Sequence, residues 1–163
     1  MIVCDTGPLV AAALSNDAGH AACVRLFSDM HAAGRELLVP ATVVAEVGYL
    51  LAREAGPRVE SLFLASLAAG DFATVELTTA DYARMAELVV TYGDLPLGTT
   101  DTSVIAVAER LKLTDVATLD RRHFTVVQPS HVNSLTLLPW KSLSALGTGH
   151  SPGGKSAEAA RSA

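Results

Sequence analysis

Apolar residues along this chain come in two alternating lengths. Short runs rich in Val, Leu and Thr predict five buried strands: "MIVC" at 1–4, "RELLVP" at 35–40, "FATVEL" at 72–77, "DVATL" at 115–119 and "LTLLP" at 135–139. The longer stretches between them carry helical spacing, at 7–15, 17–34, 40–56, 57–70, 78–93 and 99–113. Their punctuation agrees, with prolines opening at Pro40 and Pro57 and glycines closing at Gly34, Gly56 and Gly70. Thr78, three residues before Asp81, begins a capping-box pattern. Strands separated by helices imply crossovers, so the pattern predicts an α/β domain whose largely parallel sheet is covered on both faces. Beyond "LTLLPW" the periodicity ends. Residues 1–140 therefore read as one domain, and the Gly-, Ser- and Ala-rich 141–163 as a flexible C-terminal tail.

Composition narrows the class. Half of the 163 residues are hydrophobic and 18% are charged, which excludes disorder for the bulk of the chain. The two cysteines, Cys4 and Cys23, fit no metal or redox spacing and read as small buried hydrophobes of a reducing compartment. No run reaches the roughly 18 apolar residues of a membrane span, and the N-terminus lacks a basic signal region. The expectation is a cytoplasmic protein with no membrane partner. A net charge of −5 argues against nucleic-acid binding through a broad basic surface.

Four acids break the apolar pattern. Asp5 ends the first strand, at the edge of a parallel sheet where ligands bind; taken alone it also reads as a helix N-cap before "TGPLV". Glu46 lies three residues after Val43 and four before Leu50, inside the stripe made by Val43, Val47, Leu50 and Leu51. That predicts a buried carboxylate, which costs several kcal/mol unless a salt bridge or a metal answers it. Asp101 opens the face carrying Val104, Ile105, Ala108 and Leu111, with Thr99 and Thr100 upstream as alternative caps. Asp120, ending "VATLD", is a second strand-end acid. One arrangement accounts for all four, namely convergence at one edge of the sheet. Like charges about 4 Å apart repel by roughly 4 kcal/mol at an effective dielectric near 20, so such a cluster calls for a cation. Oxygen-only ligands favour Mg²⁺, or Mn²⁺, over zinc.

With "IVCDTGPLVAAA", "VVAEVGYLL", "DLPLGTTDTSVIAVAERL" and "VATLDRRHF" in this order, the chain resembles the PIN-domain nucleases, most closely the toxins of VapBC-type toxin–antitoxin pairs. The resemblance runs from Met1 to about Trp140. It implies a three-layer α/β/α sandwich with a short, mainly parallel sheet, and Mg²⁺-dependent endoribonuclease activity on an RNA substrate. It also implies inhibition by a cognate VapB-type antitoxin, and a homodimer. Carried onto this chain, Asp5 and Asp101 become the principal metal ligands. Glu46 and Asp120 complete the catalytic acids, with Glu46 orienting a water or accepting its proton. Arg121, Arg122 and His123 are candidates for RNA contacts; otherwise Arg121 and Arg122 are solvated turn residues and His123 a local structural one. Thr6 and Ser103, each near a ligand aspartate, are candidates for hydrogen bonds that orient the acids.

Other chemistries fare worse. A phosphohydrolase with Asp5 as nucleophile needs an aspartate two residues on, where Gly7 stands. "GHSPGGKS" at 149–156 has the letters of a phosphate-binding loop but no preceding strand. Asp94 in "YGDLPLG" reads as a loop-shaping residue, and a non-catalytic interaction module is the remaining alternative. The segment 57–69 carries more apolar residues than one stripe requires, which ordinary core packing accounts for first and a dimer or antitoxin contact second.

Overall fold

The computed structural model describes residues 1–139. Its five strands are β1 (Ile2–Cys4), β2 (Leu37–Pro40), β3 (Ala73–Val75), β4 (Asp115–Ala117) and β5 (Thr136–Leu138). They form one sheet in the order β3-β2-β1-β4-β5, and every neighbouring pair is parallel. Helices α1 (Thr6–Ala13) and α2 (His20–Ala32) join β1 to β2, and α3 (Ala41–Ala55) and α4 (Pro57–Ala69) join β2 to β3. Then α5 (Thr79–Thr91) and α6 (Thr99–Leu111) return the chain across the sheet to β4, and α7 (Arg121–Val126) leads to β5. This is the doubly wound, three-layer α/β/α arrangement expected from the strand–helix alternation. The predicted tail at 141–163, and the phosphate-loop letters within it, lie outside the described residues.

The winding matters for function. The chain steps outward from β1 to β2 to β3, then crosses back to lay β4 on the other flank of β1. The carboxyl ends of β1 and β4 therefore flank a topological switch point, the place where open α/β sheets bind ligands. Register aligns them: Cys4 lies beside Ala117, and the Asp5 N–H donates to the Ala117 carbonyl at 2.9 Å.

β1 and β2 are buried along their whole length, as a parallel sheet covered on both faces requires. Ile2, Val3, Val39, Val43, Val47, Leu51, Val104, Ile105 and Val116 are wholly inaccessible. Cys4 and Cys23 are free and buried in the same core; burial, and secondarily Asp5, pushes the Cys4 thiol far above its usual range. Thr78 and Asp81 form the predicted capping box. Gly70 closes α4 at φ 84°, a left-handed position that glycine takes without strain. No helix among the described residues is long and apolar enough to cross a membrane.

Two details depart from expectation. The six-residue α7 was not foreseen, since "RRHFTV" is too short to display helical period. And α6 is buried from Thr102 to Glu109 instead of along one face, because it packs against α5, α3, β1 and β2 together.

Candidate active site

Asp5 stands where β1 gives way to α1, and both readings of it hold together. It is the α1 N-cap, its Oδ1 accepting from the Thr6 N–H at 2.7 Å, and it is an acid at the carboxyl edge of the sheet. Its Oδ2 accepts from the Thr118 hydroxyl at 2.7 Å. Thr118, fully buried, follows β4 just as Asp5 follows β1, so the Cys4–Ala117 register brings the two side by side. Sequence reasoning missed Thr118, because only the strand pairing reveals it.

Glu46 differs from expectation. It is exposed, and the buried stripe of α3 is Val43, Val47 and Leu51, at spacing i, i+4, i+8. Glu46 lies on the border of that stripe, on the flank facing α1, where its Oε2 accepts from the Thr6 hydroxyl at 2.5 Å. Thr6 thus bridges the two acids, its amide on Asp5 and its hydroxyl on Glu46. No salt bridge buries Glu46; solvent already meets its carboxylate.

Asp101 sits in the first turn of α6. Gly98, rather than Thr99 or Thr100, is the N-cap, and its N–H donates to Asp101 Oδ2 at 2.9 Å. Ser103 makes no hydrogen bond to any of the four acids. It donates to the Thr100 carbonyl at 2.7 Å and accepts from Thr42 at 2.6 Å, which fastens the start of α6 to the start of α3. Asp120 is not at the strand end, since β4 stops at Ala117. It is the half-exposed N-cap of α7, its Oδ1 accepting from the amides of Arg122 at 3.1 Å and His123 at 3.4 Å.

The three basic candidates separate. The Arg121 guanidinium donates to the carbonyls of Leu137 and Pro139 and so shields the outer edge of β5. Arg122 is exposed, with no side-chain partner among the described residues. His123 is largely buried, with Nδ1 3.2 Å from Asp120 Oδ2 and 3.5 Å from Asp101 Oδ2. Asp94 lies in an exposed turn, as a loop residue should.

Electrostatics marks Asp5 out. It is 5% exposed, and burial pushes its carboxyl up to about 6. The hydrogen bonds from Thr118 and Thr6 oppose that rise, while the neighbouring charges of Asp101 and Glu46 add to it. No Lys or Arg among the described residues pairs with Asp5, Glu46 or Asp101. A buried acid raised by two further acids, all with oxygen donors, fits a hard divalent cation and does not fit zinc. Among the described residues no three His, Cys, Asp or Glu side chains are grouped closely enough to hold a metal ion as they stand. The acids are linked in pairs, Asp5 and Glu46 through Thr6, and Asp101 and Asp120 beside His123. An ion that keeps several of its waters would reach such a rim partly through them. A cleft of about 680 Å³ between α2 and the β4–β5 flank, lined by Arg25, Met30, Asp115 and Leu138 among others, contains none of the four acids. Glu46 and Asp120 face solvent on the rim, while Asp5 lies beneath it.

The PIN domain family matches residues 2–128. Over 141 residues the chain is 30% identical to Ribonuclease VapC26 of Mycobacterium tuberculosis, covering 85% of this chain and 100% of that relative. The solved structure of VapC20 from Mycobacterium tuberculosis, a sarcin-ricin loop cleaving toxin, superimposes with a TM-score of 0.69 at 19% identity, over 82% of this chain and 99% of that one. VapBC2 from Rickettsia felis, solved bound to a DNA fragment from its promoter, superimposes with a TM-score of 0.62 at 16% identity, over 86% of this chain and 100% of that one. The solved structures speak for the fold; the family match spans Asp5, Glu46, Asp101 and Asp120. This chain therefore belongs to the PIN-domain family and is of its VapC type.

Proposed function

We propose that this chain is the ribonuclease toxin of a toxin–antitoxin pair, cleaving RNA phosphodiesters at the acidic rim with the help of Mg²⁺ or Mn²⁺. The observation that carries the reading is Asp5: a buried carboxylate at the switch point, raised to about 6 by burial with Asp101 and Glu46 adding to it, and with no cationic partner among the described residues. Asp5 and Asp101 would hold the cation, and Glu46 and Asp120 would reach it directly or through water. Bound there, a divalent cation supplies charge to offset that of the scissile phosphate and lowers the pKa of a water.

The chain's own groups do the rest. Thr118 and the Thr6 amide fix the Asp5 carboxylate, and the Thr6 hydroxyl aims Glu46. Because Glu46 is exposed, it can meet a substrate water and take its proton. The first turns of α1, α3 and α6 point amide dipoles at the rim, a favourable field for a polyanion despite the net charge of −5. Arg122, exposed two residues beyond Asp120, is the basic side chain we assign to a phosphate contact.

A VapB-type antitoxin partner is supported by an apolar groove of about 250 Å³ between α1, α2 and α4, lined by Leu9, Phe27, Val59, Leu62 and Phe63 among others. Leu62 and Leu64 are 64% and 48% exposed, so 57–69 offers the apolar surface anticipated there. A homodimer is part of the same proposal. Purified protein incubated with total RNA and Mg²⁺ should cleave it, and chelator, Asp5→Asn or Asp101→Asn should stop cleavage. Cutting that survives all three would refute the reading.

A further inference from the structure

His123 sits in the first turn of α7 with Asp120 Oδ2 at 3.2 Å and Asp101 Oδ2 at 3.5 Å from the same ring nitrogen, Nδ1. That nitrogen is shut off from solvent, and neither contact has the direction of a hydrogen bond, so it is left without a partner. A buried polar atom left unmatched is destabilising, and a small turn of either carboxylate about its Cβ–Cγ bond would satisfy it. The ring has little freedom to look elsewhere. Its side chain is 12% exposed, and its neighbour Phe124 is anchored in the core at 2% exposure. Asp120, by contrast, is held only through Oδ1, by two α7 amides, and its Oδ2 faces Nδ1.

We propose that His123 is a positioning residue: its Nδ1–H ties the Asp120 carboxylate to Asp101 across the α6–α7 gap, and so makes Asp120 part of the cation site. The inference rests on the reading of the acids as that site. The neutral tautomer with its proton on Nδ1 is sufficient, so the tie needs no charge on the ring. Without it Asp120 is a half-exposed helix cap whose carboxylate is free to swing into solvent. With it, the connection between β4 and β5 is locked to the first turn of α6. The role also separates His123 from Arg122. One faces inward to the acids and the other outward to solvent.

The test is Mn²⁺ affinity, measured by calorimetry on the full chain, for wild type, His123→Ala, His123→Asn, His123→Gln, Asp120→Asn and the His123→Ala/Asp120→Asn double variant. Asn places an N–H donor near the position of Nδ1, Gln near that of Nε2, and Asn at 120 keeps the helix cap. His123→Ala and His123→Gln should weaken Mn²⁺ binding by about tenfold, while His123→Asn stays within about threefold of wild type. In the Asp120→Asn background, His123→Ala should add less than about twofold. Wild-type affinity in His123→Ala, equal losses in the Asn and Gln variants, or additive effects in the double variant would each overturn the tie. Asp5→Asn is the control. If it binds Mn²⁺ like wild type, the cation site itself fails; if it loses binding while His123→Ala does not, only the role of His123 fails.

Discussion

The molecule buries acids in two places and treats them in opposite ways. On the α5–α6 flank, Glu109 is 6% exposed and Asp81 3% exposed. Glu109 receives Arg84 through Nε at 2.8 Å and Nη2 at 3.0 Å, plus the Ser130 amide at 2.8 Å. Asp81 receives Arg110 Nε at 2.9 Å on one oxygen and 3.0 Å on the other. Burial tends to raise both acids, yet Arg84 and the Ser130 amide at Glu109, and the Thr78 amide and hydroxyl with Arg110 at Asp81, outweigh it and hold both below the usual carboxylate range. At the carboxyl edge Asp5 is as deeply buried, has only neutral donors, and is raised to about 6. A carboxylate kept for architecture has its cation built into the chain, whereas one kept for chemistry leaves that place to something that arrives.

The comparison can be broken most sharply with one variant on each side. Asp5→Asn should lower RNA cleavage by roughly a hundredfold or more, as loss of a group acting on transition-state charge does, and at the same time stabilise the metal-free fold. Asp5 sits at about 6 in the folded chain against an ordinary value of 3.8. The folded state therefore binds the extra proton, and wild-type stability is lost as pH rises through that interval. At pH 7 the loss is roughly 3 kcal/mol. The Tm advantage of Asp5→Asn in chelator should thus grow from about pH 4 to about pH 6 and then level off. An advantage independent of pH would show that Asp5 is not a raised carboxyl.

Arg84→Ala is the mirror experiment. It leaves Glu109 buried without its cation and should cost about 2–4 kcal/mol of stability, read by denaturant titration. RNA cleavage well below the new Tm should stay within about twofold of wild type. Because Asp81 and Glu109 are depressed in the fold, their stabilisation is present at neutral pH and is lost as pH falls into the acid range.

Thr118→Val sharpens the contrast from within the site. It preserves shape, removes the hydroxyl that donates to Asp5, and should weaken Mg²⁺ binding by about tenfold. The smallest expected effect belongs to Arg122→Ala. RNA affinity should fall by about two- to fivefold, and log affinity should depend less steeply on log salt, as the loss of one phosphate contact predicts.

The same contrast explains what the sequence made legible. Asp5 was visible because it interrupts two apolar runs, and the alternating runs were enough to predict every strand and six of the helices, because those signals are local. Glu46 was misplaced because Leu50, which is only half buried, was counted into a stripe that Val43, Val47 and Leu51 complete without it. Thr118 stayed hidden because its partner is 113 residues away and meets it only through strand register. Arg121 looked free because the carbonyls that engage it lie 16 and 18 residues further on. Asp81 read only as part of a cap, since its arginine comes from a neighbouring helix.

The central claim concerns what neutralises Asp5, and thermal unfolding with and without Mg²⁺ addresses it directly. A cation that binds the folded chain raises Tm in proportion to its occupancy. Wild type should gain Tm with rising Mg²⁺ and lose the gain in chelator, while Asp5→Asn, already relieved of its charge, should unfold at the same temperature in both. Equal Mg²⁺-induced shifts in the two proteins, or none in wild type, would contradict the account.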